Sequence, residues 1–85
     1  MPQTPKRRKA VRTPKYIQLR HLLVDARRKA GLSQDALASR LKRPQSYVSK
    51  FERGERRLDV VEFFEVMDAL NVDGFKLLKK LLVGT

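Results

Sequence analysis

An all-α domain is predicted from three features of the 85-residue chain. Apolar residues recur at helical spacing from Tyr16 onward, Gly, Ser, Asp or Pro punctuates the chain between the periodic segments, and no strand-length stretch alternates with period two. The expected architecture is five helices behind a basic N-terminal tail.

The tail is residues 1–15, which carry Lys6, Arg7, Arg8, Lys9, Arg12 and Lys15 without an acid. A Pro-containing segment with so little apolar content cannot bury a core, so it is expected to be a disordered basic arm. The first helix begins at Tyr16 and carries Leu19, Leu22, Leu23, Ala26 and Ala30 on one face, with Gly31 as its C-cap. Ser33 is the N-cap of a second helix over residues 34–41, with Leu37, Ala38 and Leu41 turned inward. A tight turn at Lys42 and Arg43 leads to Pro44, which disfavours α geometry at Arg43 and fits the first turn of a third helix over residues 44–53, ended by Gly54. Asp59 with Glu62 forms the capping-box start of a fourth helix, with Val60, Phe63, Phe64, Met67 and Leu70 as its apolar face. Asp73 caps the fifth, in which Phe75, Leu78, Leu81 and Leu82 are the core-facing stripe and Leu77 and Val83 add surface for self-association. The last two helices together span about residues 60–83.

Composition narrows the function. With no cysteine and one histidine, a disulfide framework, a thiolate zinc site and a Cys-His nucleophile pair are excluded. No cofactor and no enzymatic activity are expected, because no acid, base and nucleophile form a constellation. His21 has no second histidine beside it in sequence, and Ser33 reads as a cap rather than a nucleophile. No apolar run reaches the roughly 18 residues of a membrane span and no signal-peptide pattern is present, so the expected location is a cytoplasm.

Twenty Lys and Arg against nine Asp and Glu leave a net charge of +11. It is unevenly spread: +6 in residues 1–15, +7 in residues 16–57 and −2 in residues 58–85. That asymmetry suits a polyanion-binding face backed by a packing or self-association face. On the third helix, at about 100° per residue, Gln45, Ser49, Arg53, Ser46 and Lys50 share an arc of roughly 140°, opposite Val48 and Phe51, with Tyr47 and Glu52 on the flanks. The arc has an amide, two hydroxyls, an ammonium and a guanidinium, and no carboxylate. Such groups read base edges and phosphates in a major groove. An ordinary solvated face has the same composition. The tight turn before the helix, the overall charge and the Arg53, Arg56 and Arg57 group weigh toward binding.

The linked segments RRKAGLSQDALASRL (27–41) and PQSYVSKFERGERRL (44–58) resemble the Cro/C1-type, XRE-like helix-turn-helix family. The resemblance covers residues 16–71 and implies a lambda-repressor-like DNA-binding domain over residues 16–85. It further implies that Gln34 holds a phosphate, that Gln45 and Ser46 reach base edges with Ser49 and Lys50 one turn on, that Arg53 touches the backbone, and that Arg27 and Glu52 form a structural ion pair. Lys42, Arg43, Tyr47, Arg56 and Arg57 join the phosphate-binding candidates. The family commonly has Gly where this chain has Lys42, so either the turn differs or a non-Gly residue tolerates positive φ.

Lys6 to Lys9 can serve as a minor-groove arm, a phosphate-binding tail, a nuclear signal or a solubilising end; the phosphate-binding tail is favoured. The segment FKLLKKLLV (75–83) also has the pattern of a membrane-surface helix, though core packing and self-association are preferred and no membrane partner is expected. The expected function is a sequence-specific regulator of transcription, a repressor type, that binds double-stranded DNA, with a homodimer through the fourth and fifth helices. The alternatives are an antitoxin-like protein that binds a protein partner while repressing its own promoter, and an RNA-binding protein. The latter normally uses exposed aromatics, for which only Tyr47 and Tyr16 qualify.

Overall fold

The structure, a computed structural model, describes residues 13–83. Within them are α1 (Pro14–Lys29), α2 (Gln34–Leu41), α3 (Gln45–Arg53), α4 (Val60–Leu70) and α5 (Gly74–Val83), and no strand. None of these helices is long and apolar enough to cross a membrane.

The chain becomes helical two residues before the expected start. Thr13 is the N-cap of α1, its hydroxyl accepting from Tyr16 N at 3.2 Å, and Pro14 occupies the first turn, where a missing N–H costs nothing. Thr13 to Lys15 therefore belong to α1 rather than to the arm, and the Thr-Pro pair is the sequence signal for that start. The remainder of the expected arm, with Lys6, Arg7, Arg8 and Lys9, lies outside the described residues.

At the turn, Lys42 takes the left-handed conformation, φ 57° and ψ 42°, so the chain tolerates positive φ there without glycine. The Lys42 and Arg43 amides donate to Ser39 O (3.1 Å) and Ala38 O (3.0 Å), closing the end of α2. Pro44 stands one residue outside α3, as its extended N-cap (ψ 153°), and helical geometry begins at Gln45. The capping box of α4 is present: Asp59 Oδ1 accepts from Glu62 N (2.7 Å), and Glu62 Oε1 accepts from Asp59 N (3.0 Å). Asp73 Oδ1 accepts from Phe75 N and Lys76 N at the start of α5.

The core is built from Leu23, Leu37, Ala38, Val48, Phe51, Phe63, Val66, Met67, Leu70 and Leu77, so every helix contributes to one cluster. Two expected faces are rotated. In α4 the buried stripe is Phe63, Val66, Met67 and Leu70, whereas Val60 is 73% exposed and Phe64 half-buried. In α5 it is Gly74, Leu77 and Leu81; Phe75 and Leu82, expected in the core, are each 76% exposed, while Leu77, expected outside, is buried. Apolar residues surround more than half of α5, so periodicity alone leaves its phase open. The docking of Gly74 against Phe64 and Met67 selects it.

Long side chains lock the ends of this assembly. Lys15 Nζ donates to Leu81 O (3.0 Å), Arg20 Nε to Glu52 O (3.0 Å) and Arg40 Nη1 to Ala69 O (2.9 Å), each a cation at the carbonyl end of another helix. Tyr16 Oη accepts from Leu58 N at 3.3 Å.

Candidate nucleic-acid interface

Burying Val48 and Phe51 decides which side of α3 reaches solvent. Gln45, Ser46, Lys50 and Arg53 are exposed. Ser49 is not: it is 9% exposed and its Oγ donates to Ser46 O, one turn back in the same helix, at 3.2 Å. The structure thus removes Ser49 from the exposed arc.

Tyr47 is also displaced from its expected role at the surface. Its ring is 8% exposed and packs edge-on to Phe51, centroids 5.6 Å apart, with the Arg43 and Arg56 guanidinium carbons 4.5 and 4.8 Å from its centroid. Burial first, and then the Glu62 carboxylate, pushes its hydroxyl pKa above the ordinary value, while Arg43 and Arg56 act in the opposite direction. Arg56 is in turn held by both oxygens of Glu62, and Arg43 Nη2 lies 3.8 Å from Glu65 Oε1. These groups tie the turn and α3 to α4. Tyr47, by burial, and Arg56, by its close pair with Glu62, are engaged within the fold, whereas Arg43 remains exposed beside Glu65. The Tyr47 ring, buried beside two guanidinium groups, is no free platform for base stacking, while Tyr16 is half-buried with its hydroxyl bonded to Leu58 N.

The other cations divide differently. Arg53 makes a two-pronged exposed pair with Glu55 (2.9 and 3.0 Å). Lys42, Lys50 and Arg57 are exposed and have no salt-bridge partner among the described residues. The acids of residues 58–85, Asp59, Glu62, Glu65, Asp68 and Asp73, lie on α4 and at the N-caps of α4 and α5.

The single acid of α3 is turned inward. Glu52 is 8% exposed and pairs with Arg27 of α1: Arg27 Nε donates to Oε2 at 2.7 Å and Nη2 to Oε1 at 3.0 Å, while Nη1 donates to Leu32 O at 2.8 Å. Gln34 Nε2 donates to Glu52 Oε1 (2.9 Å), and Gln34 Oε1 accepts from Gln45 Nε2 (2.7 Å). Gln34 therefore bridges the buried pair to the first residue of α3. These links join residues 11 and 18 positions apart, and no sequence spacing announces them.

Away from this surface, a groove of about 450 Å³ runs between α1 and the α4–α5 turn, with Leu22, Ala26, Leu70, Val72 and Leu77 among its lining residues. Ser33 Oγ caps α2 by accepting from Ala36 N, and His21 is exposed on α1.

Comparison with known proteins places this geometry. A family model described as a helix-turn-helix domain matches residues 18–75. A solved structure, an XRE-family like protein from Pseudomonas syringae pv. tomato str. DC3000, is similar at 45% identity with a TM-score of 0.83, covering 94% of this chain and 98% of its own. No protein with a curated description matches.

Proposed function

The chain belongs to the XRE-type helix-turn-helix family, as a DNA-binding regulator, and from that premise we propose that it is a sequence-specific regulator of transcription that reads duplex DNA with α3 in the major groove. The observation that carries this reading is the outer face of α3: Gln45, Ser46, Lys50 and Arg53 are exposed, and the helix's acid, Glu52, is withdrawn into the Arg27 pair. A carboxylate left on that face would oppose the phosphates.

In this reading Gln45 is the principal base reader, Ser46 and Lys50 assist, and Lys42, Arg53 and Arg57 hold phosphates. For Arg53 this means exchanging Glu55 for a phosphate oxygen, which is feasible for an exposed pair. Gln34 supports Gln45 from the start of α2. Arg43 and Arg56 act by holding α3 against α4. Lys6, Arg7, Arg8 and Lys9 add sequence-independent attraction.

The chain pairs with a second copy in this reading. Phe75, Leu82 and Val60 are exposed, and the half-buried Phe64 touches Phe75 with ring centroids 5.2 Å apart, which continues an apolar surface across α4 and α5. A symmetric pair would set two α3 helices about one DNA turn apart, roughly 34–36 Å.

Selection of the full chain on a randomised duplex pool at near-physiological salt tests the reading. Enrichment of a motif with two half-sites is expected. Gln45→Ala should relax preference at one position of each half-site, whereas Arg53→Ala should weaken all sequences alike. Retention without a motif would overturn specific reading and turn attention to RNA or protein partners.

A further inference from the structure

We propose that Glu52, which touches no DNA in the reading above and on which this inference rests, is a positioning residue whose negative charge sets the polarity of the Gln45 amide and thereby its choice of base. A carboxylate has acceptors only. Glu52 Oε2 takes Arg27 Nε, and Oε1 takes Arg27 Nη2 together with Gln34 Nε2 at 2.9 Å. Gln34 must therefore turn its NH2 end toward Glu52, since its oxygen in that place would set acceptor against acceptor.

That orientation leaves the Gln34 oxygen aimed at Gln45, whose Nε2 donates to it at 2.7 Å. Rotating the Gln45 amide by half a turn would bring two oxygens together. A free glutamine lacks this constraint, because its terminal torsion is broad and two-fold. Here the sense of the exposed amide is inherited from a buried charge through two hydrogen bonds.

With one N–H committed to Gln34, Gln45 presents its oxygen and its remaining N–H. An acceptor beside a donor matches the N6 amino group and N7 of adenine in the major groove. With the two ends exchanged, a donor would face the N6 donor. Fixing the polarity thus fixes adenine at the position Gln45 meets, without Glu52 approaching the base.

The experiment is selection on a randomised duplex pool with the full-length wild type, Glu52→Gln, the double variant Arg27→Met/Glu52→Leu, and Gln34→Ala, each checked for cooperative thermal unfolding by circular dichroism. An amide at position 52 can offer Gln34 either end, and the double variant removes the charge while keeping apolar packing. The expected result is a motif with adenine at the position sensitive to Gln45→Ala. In the variants, preference for adenine there should fall about 10-fold, with preference at the other positions retained. A merely structural role lowers enrichment at all positions together, and that pattern overturns the inference, as does unchanged adenine preference in a folded variant. If Glu52→Gln fails to fold, the double variant and Gln34→Ala decide. A wild type that enriches no motif overturns the DNA-reading function itself, and the inference with it.

Discussion

Arg56 grips Glu62 with both ends of its guanidinium, Nη1 to Oε1 at 3.1 Å and Nη2 to Oε2 at 2.8 Å, while the same guanidinium lies over the Tyr47 ring. Glu62 also accepts from the Asp59 backbone, so one carboxylate closes the cap of α4 and anchors the cation that stacks on α3. Its pKa is lowered from the ordinary 4.5 to about 2, chiefly by Arg56 and next by the Asp59 N–H. A depressed folded-state value contributes stability that is fully present above the ordinary pKa and lost as pH falls from about 4.5 toward 2. Urea midpoints should therefore drop between pH 5 and pH 3, and Glu62→Gln should lower stability at pH 7 by about 1–3 kcal/mol while narrowing the difference between the two pH values.

The buried pair of Arg27 and Glu52 predicts an asymmetry between single and double substitutions. Glu52→Ala leaves a guanidinium buried without its partner and should cost about 3–5 kcal/mol; Arg27→Met/Glu52→Leu should cost far less. Equilibrium urea unfolding of the three chains checks this. Equal losses from the single and double substitutions would show that packing, rather than charge, makes the site sensitive.

Lys42 carries both backbone strain and a cation. Glycine adopts φ 57° without a Cβ penalty, so Lys42→Gly should raise stability by about 0.5–1 kcal/mol after the added freedom of the unfolded chain is set against the relieved strain. If Lys42 holds a phosphate, the same substitution should make the dependence of log binding on log salt shallower by about 0.9. A higher thermal midpoint together with weaker DNA binding is the expected combination.

At Gly74 the helix's own preference and its surroundings disagree. Alanine is favoured over glycine inside a helix by about 1 kcal/mol, but a Cβ at this position would fall 2.7 Å from Phe64 Cε1 and 3.0 Å from Met67 Cγ. The Phe64 ring is itself wedged between Phe63 and Phe75, with centroids 5.1 and 5.2 Å away. Gly74→Ala should therefore destabilise, by about 1–3 kcal/mol, and calorimetry would show a lowered midpoint.

Much of this molecule is legible in the amino-acid order because local chemistry suffices. Ser33, Asp59 with Glu62, Asp73 and Gly54 mark helix ends through hydrogen bonds and backbone freedom that act within four residues. The all-helical class, the family and the apolar side of α3 follow from the same short-range signals. Thr13 and Pro14 carry an equally local signal for the start of α1, set within a strongly basic segment whose composition points to an unstructured tail.

What the chain leaves open is the phase of a helix when more than one face is apolar, and the engagement of a side chain when its partner is far away in sequence. Phe75 and Leu77 are equally apolar, yet with Gly74 set close against Phe64 it is Leu77 that is buried and Phe75 that is exposed. Arg43, Arg53 and Arg56 look alike in composition, yet Tyr47, Glu55, Glu62 and Glu65 separate them by place. Periodicity supplies an angle about one axis, whereas the junction of Arg27, Glu52, Gln34 and Gln45 requires three helices to meet, and that meeting is decided by packing around Val48 and Phe51.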